Sequence, residues 1–252
     1  MSDVQEAPPR LWTPNDDTPT SYTREDRAVH PPMDDPGYKS TQYRHPKQPL
    51  VYVPQTLTEV TGPQLGAERV HGPLDADLTR QHEGMPVGQR LLLGGRVMDT
   101  EGKPLRGTLV EIWQANAAGR YRHRWDRWEA PLDPNFSGAG RCVTDDDGRF
   151  AFTTIRPGPY PWGNHHNAWR PAHIHFSLLG RAFAQRLVTQ MYFPDDPFFD
   201  YDPIYNSIRD EQARRRLIAR FDIHGTVPNW AQAWEFDIVL RGPGATPFEE
   251  AW

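Results

Sequence analysis

The sequence predicts an all-β fold, a β-sandwich of mainly antiparallel strands with long loops, an extended N-terminal arm and one short helix. Three observations carry this. The chain of 252 residues holds 26 prolines and 20 glycines, punctuation that leaves little room for long helices. Short alternating apolar runs, the signature of half-buried strands, recur from residue 90 onward. Aromatic residues make up 12% of the chain, with nine tryptophans, which argues against disorder despite a modest hydrophobic fraction of 37%.

Residues 1–86 are predicted to form the arm. They are rich in Pro, Asp, His and Gln, and only residues 50–53 resemble a strand. The aromatics Trp12, Tyr22, Tyr38, Tyr43 and Tyr52 favour an arm packed on another surface, which points to a partner subunit. The sandwich is predicted over residues 87–252. Its first strand is Arg90–Met98, with Gly94-Gly95 read as a bulge. Strands follow at 108–114, 141–144 and 150–155, the last two joined by a hairpin turn at Asp145-Asp146-Asp147-Gly148. Further strands are expected at 172–179, 186–193 and 234–240, where Trp234, Phe236, Ile238 and Leu240 share a face. One helix is expected from Ser207, with Asp210 at capping-box spacing and a stripe of Ile208, Leu217, Ile218 and Phe221.

Bulk properties exclude several functions. A net charge of −5 and a pI near 6.0 give no electrostatic footprint for nucleic acid or anionic lipid. A single cysteine, Cys142, rules out an intramolecular disulfide and reads as a small packed residue at a strand start. The N-terminal residues lack signal-peptide features and no apolar run approaches a membrane span, so a soluble, cytoplasmic protein is expected.

The sharpest chemical signal is WRPAHIHF at 169–176. Alternation along a strand puts His173 and His175 on one face and Ile174 and Phe176 on the other, a geometry suited to paired metal ligands. The pair alone also fits a polar strand surface with no metal. Zinc or non-haem Fe(II) would add a histidine or carboxylate, whereas a ferric ion favours phenolate oxygen. Two tyrosines stand out by context: Tyr160, held between prolines in RPGPYPW, and Tyr121, which follows Gly119-Arg120 just beyond a strand. For a single tyrosine the commoner role is packing with its hydroxyl bonded to backbone.

Four stretches together resemble the intradiol ring-cleavage dioxygenases: EIWQANAAGRYRHRWDRW at 111–128, APLDPNFSGAGRC at 130–142, GPYPWGN at 158–164 and WRPAHIHF at 169–176. Within that family the likeness is to the iron-binding type of chain acting on protocatechuate (3,4-dihydroxybenzoate). It extends from about residue 30 through ARFDIHG at 219–225 to FDIVLRG at 236–242. The resemblance implies a non-haem Fe(III) cofactor held by Tyr121, Tyr160, His173 and His175. It makes Tyr160, Arg170 and Gln190 catalytic, places Tyr38, Trp162, Arg170 and Ile204 at the substrate, and sets Asp126 near a Tyr160 that leaves the metal and accepts a substrate proton. The implied reaction is O2-dependent cleavage between the two hydroxylated carbons, giving 3-carboxy-cis,cis-muconate in aromatic compound degradation. The implied partner is a homologous α subunit, in α-β heteromers built into a larger oligomer. Action on catechol or hydroxyquinol as a homo-oligomer, or a non-catalytic sandwich subunit, are the competing readings. Two features depart from the family: His165 and His166 after Trp162, and the stretch Phe198-Phe199-Asp200-Tyr201-Asp202.

Overall fold

The computed structural model of the chain describes residues 27–48, 66–179, 186–240 and 242–249. The strand expected at 50–53, and Trp12, Tyr22 and Tyr52, lie outside these residues. The strands are β1 (Arg90–Met98), β2 (Leu109–Trp113), β3 (Ala139–Val143), β4 (Arg149–Ile155), β5 (Tyr160–Trp162), β6 (Ala168–Arg170), β7 (His173–Leu179), β8 (Arg186–Tyr192), β9 (Arg220–Val227), β10 (Ala231–Glu235) and β11 (Ile238–Val239). Three short helices accompany them among the described residues: α1 (Lys39–Arg44), α2 (Pro203–Ser207) and α3 (Glu211–Arg215).

Two sheets pack face to face, giving the β-sandwich expected from the sequence. In one, β1 is flanked by antiparallel β4 on one side and by parallel β10 and then β11 on the other, with β9 beyond β10. The second runs β3-β2-β7-β8, all antiparallel. A small β5-β6 ribbon stands apart. Between the sheets lies a core of Leu91, Leu93, Val97, Phe150, Phe152, Phe176, Ile174, Leu178 and Phe236. Gln114 ties the layers together, donating to the Ile155 carbonyl at 2.9 Å and accepting from Thr154 Oγ1 at 2.8 Å, so its buried amide is satisfied at both ends.

Several sequence expectations are corrected. Gly94-Gly95 forms no bulge: β1 pairs with β4 in unbroken register from Arg90 to Arg96. The glycine is needed because the Phe236 carbonyl oxygen presses on the strand, only 2.0 Å from where a Gly95 Cβ would sit. At that point β1 exchanges β10 for β11. The Asp145–Gly148 turn forms, with Gly148 N donating to Asp145 O at 3.0 Å, but it is no hairpin. It carries the chain from β3 in one sheet to β4 in the other. The helix expected from Ser207 to Phe221 is instead α2, α3 and the start of β9. Asp202 caps α2 through Ile204 N, and Asp210 caps α3 through Gln212 N and Ala213 N. Tyr192 N then bonds Leu217 O and Ala219 N bonds Tyr192 O, which pulls residues 217–219 against β8 and ends helical winding.

The arm is also redrawn where it is described. Leu78 is fully buried in the main core, and its N–H bonds Thr153 O at 2.8 Å, so residues 66–86 pack on the sandwich itself. Val29 joins a smaller core with Tyr192, Ile208, Ala213, Leu217 and Ala245. Tyr38 is buried, whereas Tyr43 is exposed. Among the described residues no helix is long and apolar enough to cross a membrane.

Candidate metal centre

The site is built on β7 and the loops leading into it. In β7, Ile174, Phe176 and Leu178 enter the core, which turns His173, His175 and Ser177 to the opposite face. Register with β8 sets His173 opposite Tyr192 and His175 opposite Gln190, and register with β2 sets Trp113 opposite His175. The result is an aromatic and polar floor. Trp113 stacks on the His175 ring at 4.6 Å with 5° between planes.

Two loops bring the tyrosines over this floor. After β2, Asn116 Oδ1 accepts from both Ala118 N and Arg120 N at 2.9 Å, tightening a turn in which Gly119 has φ +79°. A Cβ on Gly119 would lie 2.2 Å from the Pro159 carbonyl oxygen. That close approach of two backbones is what sets Tyr121 beside Tyr160, ring centroids 5.3 Å apart and edge to face. On β5, Tyr160 pairs with Arg170 of β6, so both point to one side of the ribbon. Pro171 then ends β6 two residues before His173.

Tyr121, Tyr160, His173 and His175 therefore converge. The Tyr160 hydroxyl lies 3.3 Å from His173 Nε2, the two imidazole centroids are 4.8 Å apart, and Tyr121 is 6.3 Å from His175. His173 Nδ1–H donates to the Pro171 carbonyl at 2.7 Å and His175 Nδ1–H donates to Glu249 Oε2 at 2.8 Å. With both Nδ1 atoms so occupied, each Nε2 is the unprotonated nitrogen, that of His173 within reach of the Tyr160 hydroxyl and of Arg170. The Tyr121 hydroxyl is buried with no hydrogen-bond partner. Burial, and then the neighbouring Tyr160 phenol, push its ionisation well above the ordinary tyrosine range. Burial, then Arg170 and His175, hold His173 well below the usual histidine value. Two imidazole nitrogens and a phenol whose hydroxyl has no partner are a donor set suited to a hard cation, which would compensate the phenolate charge and give that oxygen a partner. Among the described residues no group of three or more His, Cys, Asp or Glu side chains is arranged to hold a metal.

Behind these four side chains lies a closed charge network. Arg170 is buried and its guanidinium reaches His173 Nε2 at 3.1 Å, Tyr160 Oη at 3.4 Å and Gln190 Oε1 at 2.5 Å. Its counter-ion is the fully buried Asp202, at 2.9 Å. Burial opposes the charge on Arg170, but Asp202, Tyr160 and Tyr192 outweigh it and hold the guanidinium protonated. Tyr192 Oη–H can donate to Gln190 Oε1 at 2.9 Å or Asp202 Oδ2 at 3.2 Å. Trp162 lies under the guanidinium at 5.5 Å and packs on Tyr38 at 5.7 Å. Ile204 is buried in α2, two residues after the Asp202 cap.

The Asp126 carboxylate accepts from Tyr121 N at 2.8 Å and Trp128 N at 2.9 Å, with Arg120 at 3.7 Å, so it braces the segment that carries Tyr121. His165 and His166 lie exposed in a turn, His165 Nδ1–H donating to His166 O. In the same loop Asn164 fastens the N-terminal segment, accepting from Lys39 N and donating to Gly37 O. Phe198, in the other departing stretch, stacks on Trp169 at 5.4 Å.

Four residues of the site were not anticipated: Trp113, Tyr192, Asp202 and Glu249. Alternation could have found the first two, since Trp113 lies two residues beyond Glu111 on β2 and Tyr192 two beyond Gln190 on β8. The Asp202-Pro203 pair is a helix-start signal and marks Asp202 as a cap. Glu249, in an irregular segment, carries no periodic signal.

Comparison with known proteins decides the family. The family model described as Dioxygenase matches residues 60–242, nearly three-quarters of the chain. The chain belongs to the intradiol dioxygenase family. A second family model, the N-terminal part of the protocatechuate 3,4-dioxygenase beta subunit, matches residues 22–56. The chain is 55% identical over 235 residues to the protocatechuate 3,4-dioxygenase beta chain of Burkholderia cepacia, covering 92% of this chain and 99% of that one. It is 31% identical over 209 residues to the protocatechuate 3,4-dioxygenase alpha chain of Pseudomonas putida, covering 79% and 98%. Among solved structures, the 3-chlorocatechol 1,2-dioxygenase of Rhodococcus opacus 1CP superposes with a TM-score of 0.52 at 25% identity, covering 68% of each chain. Intradiol dioxygenases use non-haem iron in general, and the His2Tyr2 donor set fits it.

Proposed function

We propose that this chain is the iron-carrying subunit of a protocatechuate 3,4-dioxygenase, holding Fe(III) on Tyr121, Tyr160, His173 and His175. Its reaction cleaves 3,4-dihydroxybenzoate with O2 between the hydroxylated carbons to give 3-carboxy-cis,cis-muconate. The observation that carries this is the buried, unpartnered Tyr121 hydroxyl facing Tyr160 and two imidazoles whose Nδ1 atoms are already bonded elsewhere. When bound, the ferric ion supplies Lewis acidity that favours the ionised catechol oxygens and draws reactivity with O2 onto the ring.

The chain's own residues divide the remaining work. Tyr121 is the fixed phenol, locked by the Asn116 turn and by Asp126 on its backbone N–H. Tyr160 is the releasable one: it sits on a three-residue strand, and its hydroxyl makes only long contacts, 3.3 Å to His173 and 3.4 Å to Arg170. Its oxygen can take up a substrate proton as the diol binds. Arg170 stays protonated and stabilises negative charge that develops beside Tyr160, with Gln190 orienting the guanidinium from behind. Trp162, Tyr38 and Ile204 wall the ring's side of the site.

The alpha-chain likeness supports a homologous α subunit as partner, in α-β units forming a larger oligomer, with substrate bound where the two chains meet. Oxygen uptake by the purified α-β protein tests the assignment. One O2 consumed per protocatechuate, with 3-carboxy-cis,cis-muconate as product, is expected. Uptake with catechol or hydroxyquinol and none with protocatechuate would move the substrate while keeping the chemistry.

A further inference from the structure

The last described residues of the chain run across the back of the metal centre. Thr246 is pinned to β11, its N–H donating to Val239 O at 2.9 Å and its Oγ1 accepting from Val239 N at 3.0 Å. Pro247 O accepts from the buried Thr189 Oγ1 at 2.6 Å, Phe248 enters the main core, and Glu249 N donates to Val188 O at 3.0 Å. Four successive residues are thus fixed against β8 and β11. The Glu249 side chain is thereby turned inward, only 16% exposed.

One oxygen of that carboxylate does two things. Oε2 accepts from His175 Nδ1–H at 2.8 Å and from Gln190 Nε2–H at 2.9 Å. The first bond leaves His175 Nε2 free and makes the ring a stronger donor, as a carboxylate behind a ligating histidine does. The second decides which way the Gln190 amide points. With Nε2 committed to Glu249, Oε1 faces Arg170 Nη2 and Tyr192 Oη. A flipped amide would present hydrogens to a guanidinium and leave both sides unsatisfied.

We propose that Glu249 is a positioning residue that sets His175 as a ligand and Gln190 as the orienter of Arg170 at once, making the C-terminal segment a working part of the metal site. The inference rests on the ferric-centre reading above. Glu249 touches neither substrate nor metal, and acts through the two groups it holds.

The test uses the α-β protein carrying Glu249→Gln, Glu249→Ala or Glu249→Asp. Glu249→Gln keeps the shape and removes the charge, so a folding defect does not mask its result. Iron release to a competing chelator should quicken by about 10- to 100-fold in Glu249→Gln and Glu249→Ala. The visible tyrosinate-to-iron band should move to longer wavelength, because a weaker His175 donor leaves the iron more electron-poor. Glu249→Asp, which restores the charge at shorter reach, should fall between wild type and Glu249→Ala in both readouts. Wild-type band position and iron retention in Glu249→Gln and Glu249→Ala, even with a lowered melting temperature, would overturn the proposal and leave the tail a structural strap. A wild-type protein that holds no iron would overturn the ferric-centre reading itself, and is told apart because it needs no variant.

Discussion

The two faces of β7 use the same backbone for opposite ends. Ile174, Phe176 and Leu178 enter a core in which each is fully buried against apolar neighbours such as Phe150 and Phe236. One residue away along the strand, His173, His175 and Ser177 face a layer that is partly exposed and built of polar and aromatic groups. On the core side, free energy comes from area removed from water and from dense packing, and any apolar shape of the right volume is tolerated. On the site side, each group depends on particular polar partners, among them Pro171 O for His173, Glu249 for His175 and Asp202 for Arg170. The Tyr121 hydroxyl alone of these has no hydrogen-bond partner. Packing on one face thus supplies the stability that an incompletely satisfied constellation on the other consumes.

That contrast can be broken from either side, and the largest effects come from the deepest groups. Asp202→Ala leaves the buried Arg170 charge uncompensated and should cost about 3–5 kcal/mol in denaturant unfolding, together with loss of ring-cleavage activity. Phe176→Ala should cost a similar amount, about 3–5 kcal/mol, through its cavity. It should nevertheless leave the position of the iron band unchanged, whereas a moved band would mean that the faces are not separable. His173 gives a smaller, pH-dependent effect. Its folded-state value lies below the unfolded one, so as pH falls below about 6.5 the unfolded chain takes up a proton that the native one refuses. Metal-free stability is therefore full above that pH and should decline by up to about 1.4 kcal/mol per pH unit below it. In His173→Gln that part of the slope should vanish. The smallest effect has the opposite sign: Tyr121→Phe removes an orphaned hydroxyl and should stabilise the metal-free chain by about 1 kcal/mol, while abolishing tight iron retention.

The same division explains what could be read in advance. Strand alternation is a local signal, so β1 has the expected ends and both faces of β7 follow from the pattern HIHF. Pairing between strands is not local. Asp145–Gly148 has hairpin chemistry yet joins two sheets, and Gly94-Gly95 has bulge chemistry yet answers to the Phe236 carbonyl, which the sequence places far away. The stripe from Ile208 to Phe221 failed for the same reason, because backbone bonds between Tyr192 and residues 217 and 219 win over helical spacing. In the site, Tyr121, Tyr160, Arg170 and Gln190 came from the family resemblance rather than from spacing. The charges behind them, Asp202 and Glu249, arrive from loops whose approach only the folded chain displays.

The central claim is a ferric ion held by two phenolates and two imidazoles. The most direct test is the visible absorption spectrum of the purified α-β protein, with iron quantified on the same sample. About one iron per chain of this type, with a broad tyrosinate-to-iron band that shifts when protocatechuate is added without oxygen and weakens in Tyr121→Phe and Tyr160→Phe, is the result this account predicts. A protein that stays colourless after ferric loading, with the α chain present, would contradict it.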